Sequence, residues 1–443
     1  MNRKIRLYAA VVLVALFVAG CSGPCATIKP INAPAARGGS ASFATYVALG
    51  TSISAGGQSG GLVETHQAYA FPALFARQAG ASAFTYDRIS PDGIPPLLRL
   101  VSLSPLVVSN AGRTLGEARD LLQATPYHNL GVYGSLLYDC DSTTYYTISP
   151  YAAFFGLVAR GQGSLLRQAA ALNPTFVSFE YGANEVLGPA LSGSGTPLLS
   201  VPQFTGILAY TLADLHALMP DAKLAIFNVP DVTSIPYVNT VKPYVVNPAN
   251  GSHIPLLCNA LIDHPDGLLN ENDYVLLTAI DSLKVGTGIP ALAGGNGRPL
   301  LDSQVLTAGE AASLQAAVDG YNAAIAAAAT AHGAALVDLH ALFARIATSG
   351  YDYRGVHYSG AFITGGLFSL DGVHPTDLSQ GLLANAMIEA VNARFGASVP
   401  PVDLGQVATL SSSRARPAVE EGGTTWPTVE GLDGMLRVFA ARR

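Results

Sequence analysis

A serine, a histidine and an aspartate in this chain have the types and local spacing that acyl transfer needs. Ser52 follows Gly50-Thr51 at the end of the run Tyr46 to Leu49, and leads into a glycine-rich stretch that closes at Gly61. A buried parallel strand ends this way when its last residues face a ligand. A serine hydroxyl is a poor nucleophile at neutral pH and needs a base within hydrogen-bonding reach. Of the nine histidines, His374 stands out, because Asp371 precedes it by three residues across Gly372 and Pro375 follows it. A tight turn of that length can hold a carboxylate against one ring nitrogen, fixing the tautomer and stabilising the imidazolium, while the other nitrogen faces the site. The same string, DGVHP, also reads as a helix cap with an exposed histidine. Ser54, two residues further into the loop, is the rival nucleophile.

Acyl transfer also needs donors aimed at the developing oxyanion, each worth about 3–4 kcal/mol when removed. The candidates are the backbone N–H of Ser52, the backbone N–H of Gly112 and the side-chain amide of Asn184, with Gly116 as an alternative to Gly112. A plain turn glycine and a loop-capping asparagine are the simpler readings of the last two. A metal-dependent site is not favoured: His253 and His264, near Asp263 and Asp266, come nearest to a ligand set and do not make one. No cofactor is expected.

The elements that must position these residues follow an alternation of strand-like and helical runs, the pattern of an α/β fold with a parallel sheet. Strands are expected at 45–49, 106–109, 176–181, 223–229 and 335–339. Helices are expected near 68–78, 115–124, 204–219, 308–331 and 379–395. The polar groups fall just past strand ends or before the last helix, and that edge of an open parallel sheet is where ligands bind. Two stretches interrupt the alternation. Residues 127–155 are crowded with aromatics and 231–307 are rich in Pro, Gly and Asn; either could wall the site or elaborate the surface. Those aromatics, with a second set from Tyr351 to Phe368, could line an acyl groove or pack in a core.

The 443 residues are 49% hydrophobic and 12% charged, against about 25% charged in an average soluble domain. Such a chain can bury a large core. A net charge of −6 without any basic stripe argues against a nucleic-acid partner. At the start, Arg3, Lys4 and Arg6 precede an apolar run from Leu7 to Ala19. A run of about a dozen residues reaches about 20 Å as a helix, short of the ~30 Å hydrocarbon core, so it reads as a signal segment rather than a permanent span. Val18-Ala19-Gly20-Cys21 resembles a bacterial lipobox, which implies lipidation of Cys21; Ser22 in the next position implies an outer-membrane destination in the cell envelope. An ordinary signal peptide is the simpler alternative. Residues 1–20 are thus the expected signal peptide and 21–42 a flexible tether. The folded domain is expected over 43–397, followed by a poorly ordered tail, 398–443, whose last dozen residues could form a short basic helix. Of the other cysteines, Cys25 lies in the tether. Cys140 and Cys258 could pair in an oxidising compartment or stand as two buried thiols.

The ordered set Gly50-Thr51-Ser52, Gly112, Gly182-Ala183-Asn184 and Asp371-Gly372-Val373-His374 resembles the SGNH, or GDSL-type, hydrolase family from about Ala44 to Phe395. FSLDGVHPT, Phe368 to Thr376, is especially similar to the last block of bacterial GDSL lipases. The resemblance implies a flavodoxin-like three-layer α/β/α sandwich with five parallel strands. It further implies Ser52 as nucleophile, His374 as base, Asp371 as its partner, and Ser52, Gly112 and Asn184 as the oxyanion hole. Gly112 is preferred to Gly116 because Asn110 precedes it and Arg113-Thr114 follow, as in several family members. Two positions depart from the family pattern: Thr51 stands where an aspartate is usual before the serine, and Glu185 where an aspartate usually follows the asparagine. The expected activity is that of a serine esterase or lipase on lipid or other acyl esters. The alternatives are a glycan O-acetylesterase, or a noncatalytic surface lipoprotein that binds lipid or glycan on the same fold.

Overall fold

Five short, largely buried runs form the centre of the molecule: β1 (Tyr46–Gly50), β2 (Asn129–Gly131), β3 (Phe176–Glu180), β4 (Lys223–Phe227) and β5 (Ala335–Val337). They pair in the order β5-β4-β3-β1-β2, and every pairing is parallel. The computed structural model describes residues 36–103, 106–259, 263–407 and 428–429. Cys21, Cys25, the expected signal segment and the basic C-terminal helix lie outside the described residues.

All of β1 and β3 is buried, as strands covered on both faces must be. Tyr46 packs edge-on against Phe75 and stacks on Phe84, and its hydroxyl, which burial would otherwise leave costly, meets Ser178 Oγ at 2.7 Å. Around the sheet lie α1 (Ser52–Ala55), α2 (Phe71–Ala79), α3 (Leu165–Ala171), α4 (Asn184–Leu191), α5 (Val201–Leu218), α6 (Ala308–Ala331), α7 (Leu339–Ser349) and α8 (Asp377–Phe395). One group has α8 against α2, α7 and β5; the other has α3 on β1 and α5, and α6 on α5 and β4, which gives the expected three layers. Local signals set the helix ends. Thr307 with Glu310, and Ser200 with Gln203, form capping boxes at the starts of α6 and α5, and Gly80 in the left-handed region ends α2. Among the described residues no helix is long and apolar enough to cross a membrane.

The strand expected second in the sheet belongs elsewhere. Leu106–Ser109 pairs antiparallel with Arg99–Leu103 and parallel with Thr428–Val429 in a separate three-stranded sheet, and residues 115–124 form no helix. The fifth central strand is instead β2, paired with β1 at the start of the aromatic stretch 127–155. That stretch is therefore partly central sheet. Most of its rings are core: Tyr127, Tyr133, Tyr146, Tyr151, Phe154 and Phe155 are buried, whereas Tyr138 and Tyr145 are exposed. The second insertion also joins the core, burying Tyr237, Leu256, Leu276, Leu277 and Leu300.

Packing extends past both expected boundaries of the domain. Ser40 N–H donates to Phe395 O and Ser398 N–H to Arg37 O, tying part of the expected tether to the end of α8. Beyond residue 397, the backbone of Val399 and Val402 bonds to the side chains of Asn392 and Asn385, and Leu404 and Val407 are buried.

Candidate active site

The turn that carries Ser52 begins where β1 ends. Gly50 is paired with Gly131 of β2 and Glu180 of β3, and a Cβ at Gly50 would lie 2.2 Å from Ser54 Oγ and 2.9 Å from Glu180 Oε2. Only glycine lets those groups approach. The buried Glu180 carboxylate accepts from Thr51 N–H at 3.0 Å, from Thr51 Oγ1 at 2.9 Å and from Ser54 Oγ at 2.9 Å. Burial raises its pKa, and the donors on Thr51 and Ser54 pull the other way. Thr51 is thus a donor to an acid on the neighbouring strand, beneath the turn, rather than an acid itself. Ser54 is bound to Glu180, while Ser52 is turned towards His374.

The turn between Phe368 and α8 supplies Asp371 and His374. His374 Nε2 lies 2.9 Å from Ser52 Oγ, and His374 Nδ1 lies 2.8 Å from Asp371 Oδ2. Asp371, wholly buried, also accepts from the backbone N–H groups of Gly60 (2.8 Å), Val373 (2.9 Å) and His374 (2.8 Å), and from Ser369 Oγ (3.0 Å). Burial alone would raise the pKa of this carboxyl; the charge and hydrogen bonds of His374 and the Val373 N–H outweigh it and hold the group at about 2. An ionised Asp371 accepts the Nδ1 proton, which leaves the Nε2 lone pair for the serine. The helix-cap reading of DGVHP does not hold, since Thr376 caps α8 and His374 is 2% exposed. Gly372 adopts φ +70°, and a Cβ there would lie 2.9 Å from Leu277 and 3.1 Å from Tyr237 N. Tyr237 N–H in turn donates to Gly372 O at 2.9 Å, so the insertion 231–307 buttresses this turn.

Asn184 opens α4 past the end of β3, and its amide donates to Ser135 O at 2.8 Å, its second N–H meeting no acceptor among the described residues. Ser135 belongs to the loop Val132-Tyr133-Gly134-Ser135, which leaves β2 beside the Ser52 turn leaving β1. Gly134 has φ +67°, and a Cβ there would lie 2.2 Å from the Tyr151 ring. Among the described residues, neither Ser52 N–H nor Gly134 N–H donates to another protein group. Gly112 is not brought to this place. It sits in an exposed turn after the strand of the separate sheet, where Arg113 and Thr114 bond Asp92, and a Cβ on it would meet nothing within 4 Å.

The structure therefore joins Ser52, His374 and Asp371 by hydrogen bonds, ties Asn184 to the loop after β2, and sets Gly112 in an exposed turn. Sequence reasoning missed Gly134, Tyr133 and Glu180. The signal for Glu180 was a lone acid in the apolar run FVSFEY; the other two lay hidden in the aromatic stretch. Cys140 and Cys258 are separate buried thiols. His253 pairs with Glu271 at 2.6 Å and the buried His264 with Asp273 at 3.0 Å, so the two histidines face different partners. Among the described residues no three His, Cys, Asp or Glu side chains gather as a ligand set.

The family model of GDSL-like lipases and acylhydrolases matches residues 46–387. No curated protein matches this chain in sequence. Similar solved structures include a protein described as a GDSL-like lipase from Parabacteroides merdae, 11% identical, covering 80% of this chain and 97% of its own, with a TM-score of 0.36. A phospholipase A1 from Streptomyces albidoflavus is 14% identical over 79% of this chain and 98% of its own, with a TM-score of 0.33. An extracellular lipase from Streptomyces rimosus is 13% identical over 79% of this chain and 98% of its own, with a TM-score of 0.32. At these identities and scores the likenesses say nothing about substrate.

Proposed function

This chain belongs to the GDSL-like lipase/acylhydrolase family and is a hydrolase of ester bonds, and from that premise we propose a serine mechanism with a covalent acyl-enzyme on Ser52. The single observation that carries the reading is the unbroken relay from Asp371 Oδ2 through His374 to Ser52 Oγ, with links of 2.8 Å and 2.9 Å. Ser52 Oγ attacks the acyl carbon as its proton passes to Nε2. Asp371 holds the ring and stabilises the imidazolium. The imidazolium then protonates the leaving alcohol, and water, activated by the same nitrogen, releases the acid. The N–H groups of Ser52 and Gly134 and the free N–H of Asn184 receive the oxyanion, Gly134 standing in the place first given to Gly112.

The substrate is a carboxylic ester, and lipid acyl esters are the class proposed, in keeping with an anchor on Cys21 that would hold the enzyme at a bacterial membrane, on the outer membrane of the envelope. The aromatic stretch does not argue for this class, since most of its rings are core. Noncatalytic binding is disfavoured because it would not require a buried carboxylate, histidine and serine in one hydrogen-bonded line. Hydrolysis of p-nitrophenyl esters from acetate to long acyl chains tests the reading. Wild type should turn over esters with a preference for longer chains, and Ser52→Ala should not. Activity confined to acetate would overturn the lipid class and favour a glycan O-acetylesterase; equal activity of both proteins would overturn the mechanism.

A further inference from the structure

We infer that Tyr133 is a positioning residue for His374, with its phenol oxygen taking a second share of the Nδ1 proton and its ring bracing the imidazole; this rests on His374 being the base. Tyr133 lies in the loop after β2, one residue before Gly134, and is 3% exposed. Its ring centroid is 4.8 Å from that of His374, with planes inclined at 51°, and its Oη is 3.3 Å from His374 Nδ1.

Two features hold the ring there. Phe154 stacks on it at 4.7 Å with planes 18° apart, and Gly57 clears its edge, since a Cβ at Gly57 would lie 2.5 Å from the Tyr133 ring. The loop that carries the nucleophile and the loop that offers the Gly134 N–H thus meet through Tyr133 on the base. The groups facing His374 are Asp371 from its own turn, Ser52 from α1 and Tyr133 from the β2 loop. The buried carboxylates of Glu180 and Asp377 are committed elsewhere, Glu180 to Thr51 and Ser54, Asp377 to Gln58 and His66.

A phenylalanine would fill the same volume, so packing does not explain the hydroxyl. Burying a hydroxyl is costly unless it is bonded, and among the described residues the bond found for this one is to the base. Nδ1–H points chiefly at Asp371 Oδ2, and the longer contact to Oη restrains ring rotation away from Ser52. When the ring becomes an imidazolium, an adjacent aromatic ring and an acceptor oxygen both favour the charge. Burial keeps the phenol protonated, so Tyr133 adds no competing negative charge.

The test compares Tyr133→Phe, Tyr133→Leu and His374→Ala on a soluble ester, with kcat and KM measured separately and folding checked by circular dichroism. Tyr133→Phe should lower kcat about 3- to 10-fold, the loss expected for one hydrogen bond. Tyr133→Leu, which also removes the ring, should lower kcat roughly 100-fold. KM should stay within about twofold in both, because Tyr133 acts through the base and not on the substrate. The inference is overturned if Tyr133→Phe equals wild type in kcat, or if Tyr133→Leu changes KM as much as kcat or loses activity only by losing its fold. Inactive His374→Ala beside unaltered Tyr133 variants would sink this inference alone, whereas an active His374→Ala would sink the base assignment with it.

Discussion

Two glycines with nearly the same φ have very different surroundings. Gly112 and Gly134 both follow a short strand, and both have positive φ, +74° and +67°. Gly112 lies on the surface, where an added Cβ would touch nothing; Gly134 is wedged against Tyr151 and follows the strand paired with β1. Each turn also has a carboxylate anchor nearby. Asp92 beside Gly112 is half-buried and held by Thr114 and Arg113, while Asp371 at the site is wholly buried and held by five donors. On the proposed mechanism, left-handed geometry is no mark of an oxyanion donor, whereas adjacency to the strand that leads to Ser52 is, because neighbouring parallel strands deliver their following loops to one edge.

Between the two glycine turns, the largest effect should come from Gly134→Ala. The new methyl would strike the Tyr151 ring and strain a positive φ, moving the loop that offers the N–H, so kcat should fall roughly 1,000-fold. Steady-state assays on a soluble ester would show it, and a variant keeping half its activity would remove Gly134 from the hole. Asn184→Ala, which leaves the backbone alone, should lower kcat by about 10²- to 10³-fold. If it instead raised KM with kcat intact, Asn184 would be a binding group.

The carboxylates give a comparison in stability. Asp371 is held at about 2, below its ordinary 3.8. A depressed carboxyl contributes stability that is complete above the ordinary value and is lost as pH falls through the folded one. Asp371→Asn should therefore be destabilised by on the order of 2 kcal/mol near neutrality, the gap to wild type closing between about pH 4 and pH 2. Denaturant titrations at several pH values would show whether the gap closes in that window, and Asp92→Asn should show little gap at any pH. The smallest effect is expected for Gly112→Ala, with kcat within about twofold of wild type and only the modest cost of a methyl at positive φ. A large loss of kcat there would restore Gly112 to the hole and break the comparison.

The same contrast shows what could be read from the sequence. Ser52, Asp371 and His374 were legible because each carries its chemistry in a local string: a strand ending in Gly-Thr-Ser, and a turn short enough to join acid and base. Four central strands were legible as apolar runs between helices. The remaining strand was not. Leu106 to Ser109 contains adjacent valines, which favour extended backbone, but propensity does not say which sheet a strand joins. Asn129-Leu130-Gly131 has no β-branched residue, and its place is decided by pairing with Ala48, Leu49 and Gly50. Reading Leu106 to Ser109 as a central strand put the glycine after it, Gly112, among the candidates for the hole. Tyr133 and Gly134 were lost in a stretch whose aromatics say only that something is buried, and Glu180 became intelligible only once β3 set it beneath Thr51.

Fluorophosphonate labelling followed by peptide mapping tests the central claim most directly, because the probe bonds only to a serine whose base and oxyanion donors are in place. The account predicts a single phosphonyl adduct on the peptide containing Ser52, none in Ser52→Ala, and labelling of His374→Ala slowed by about 10⁴-fold or more. An adduct on Ser54 or another serine, or equal labelling of wild type and Ser52→Ala, would contradict it.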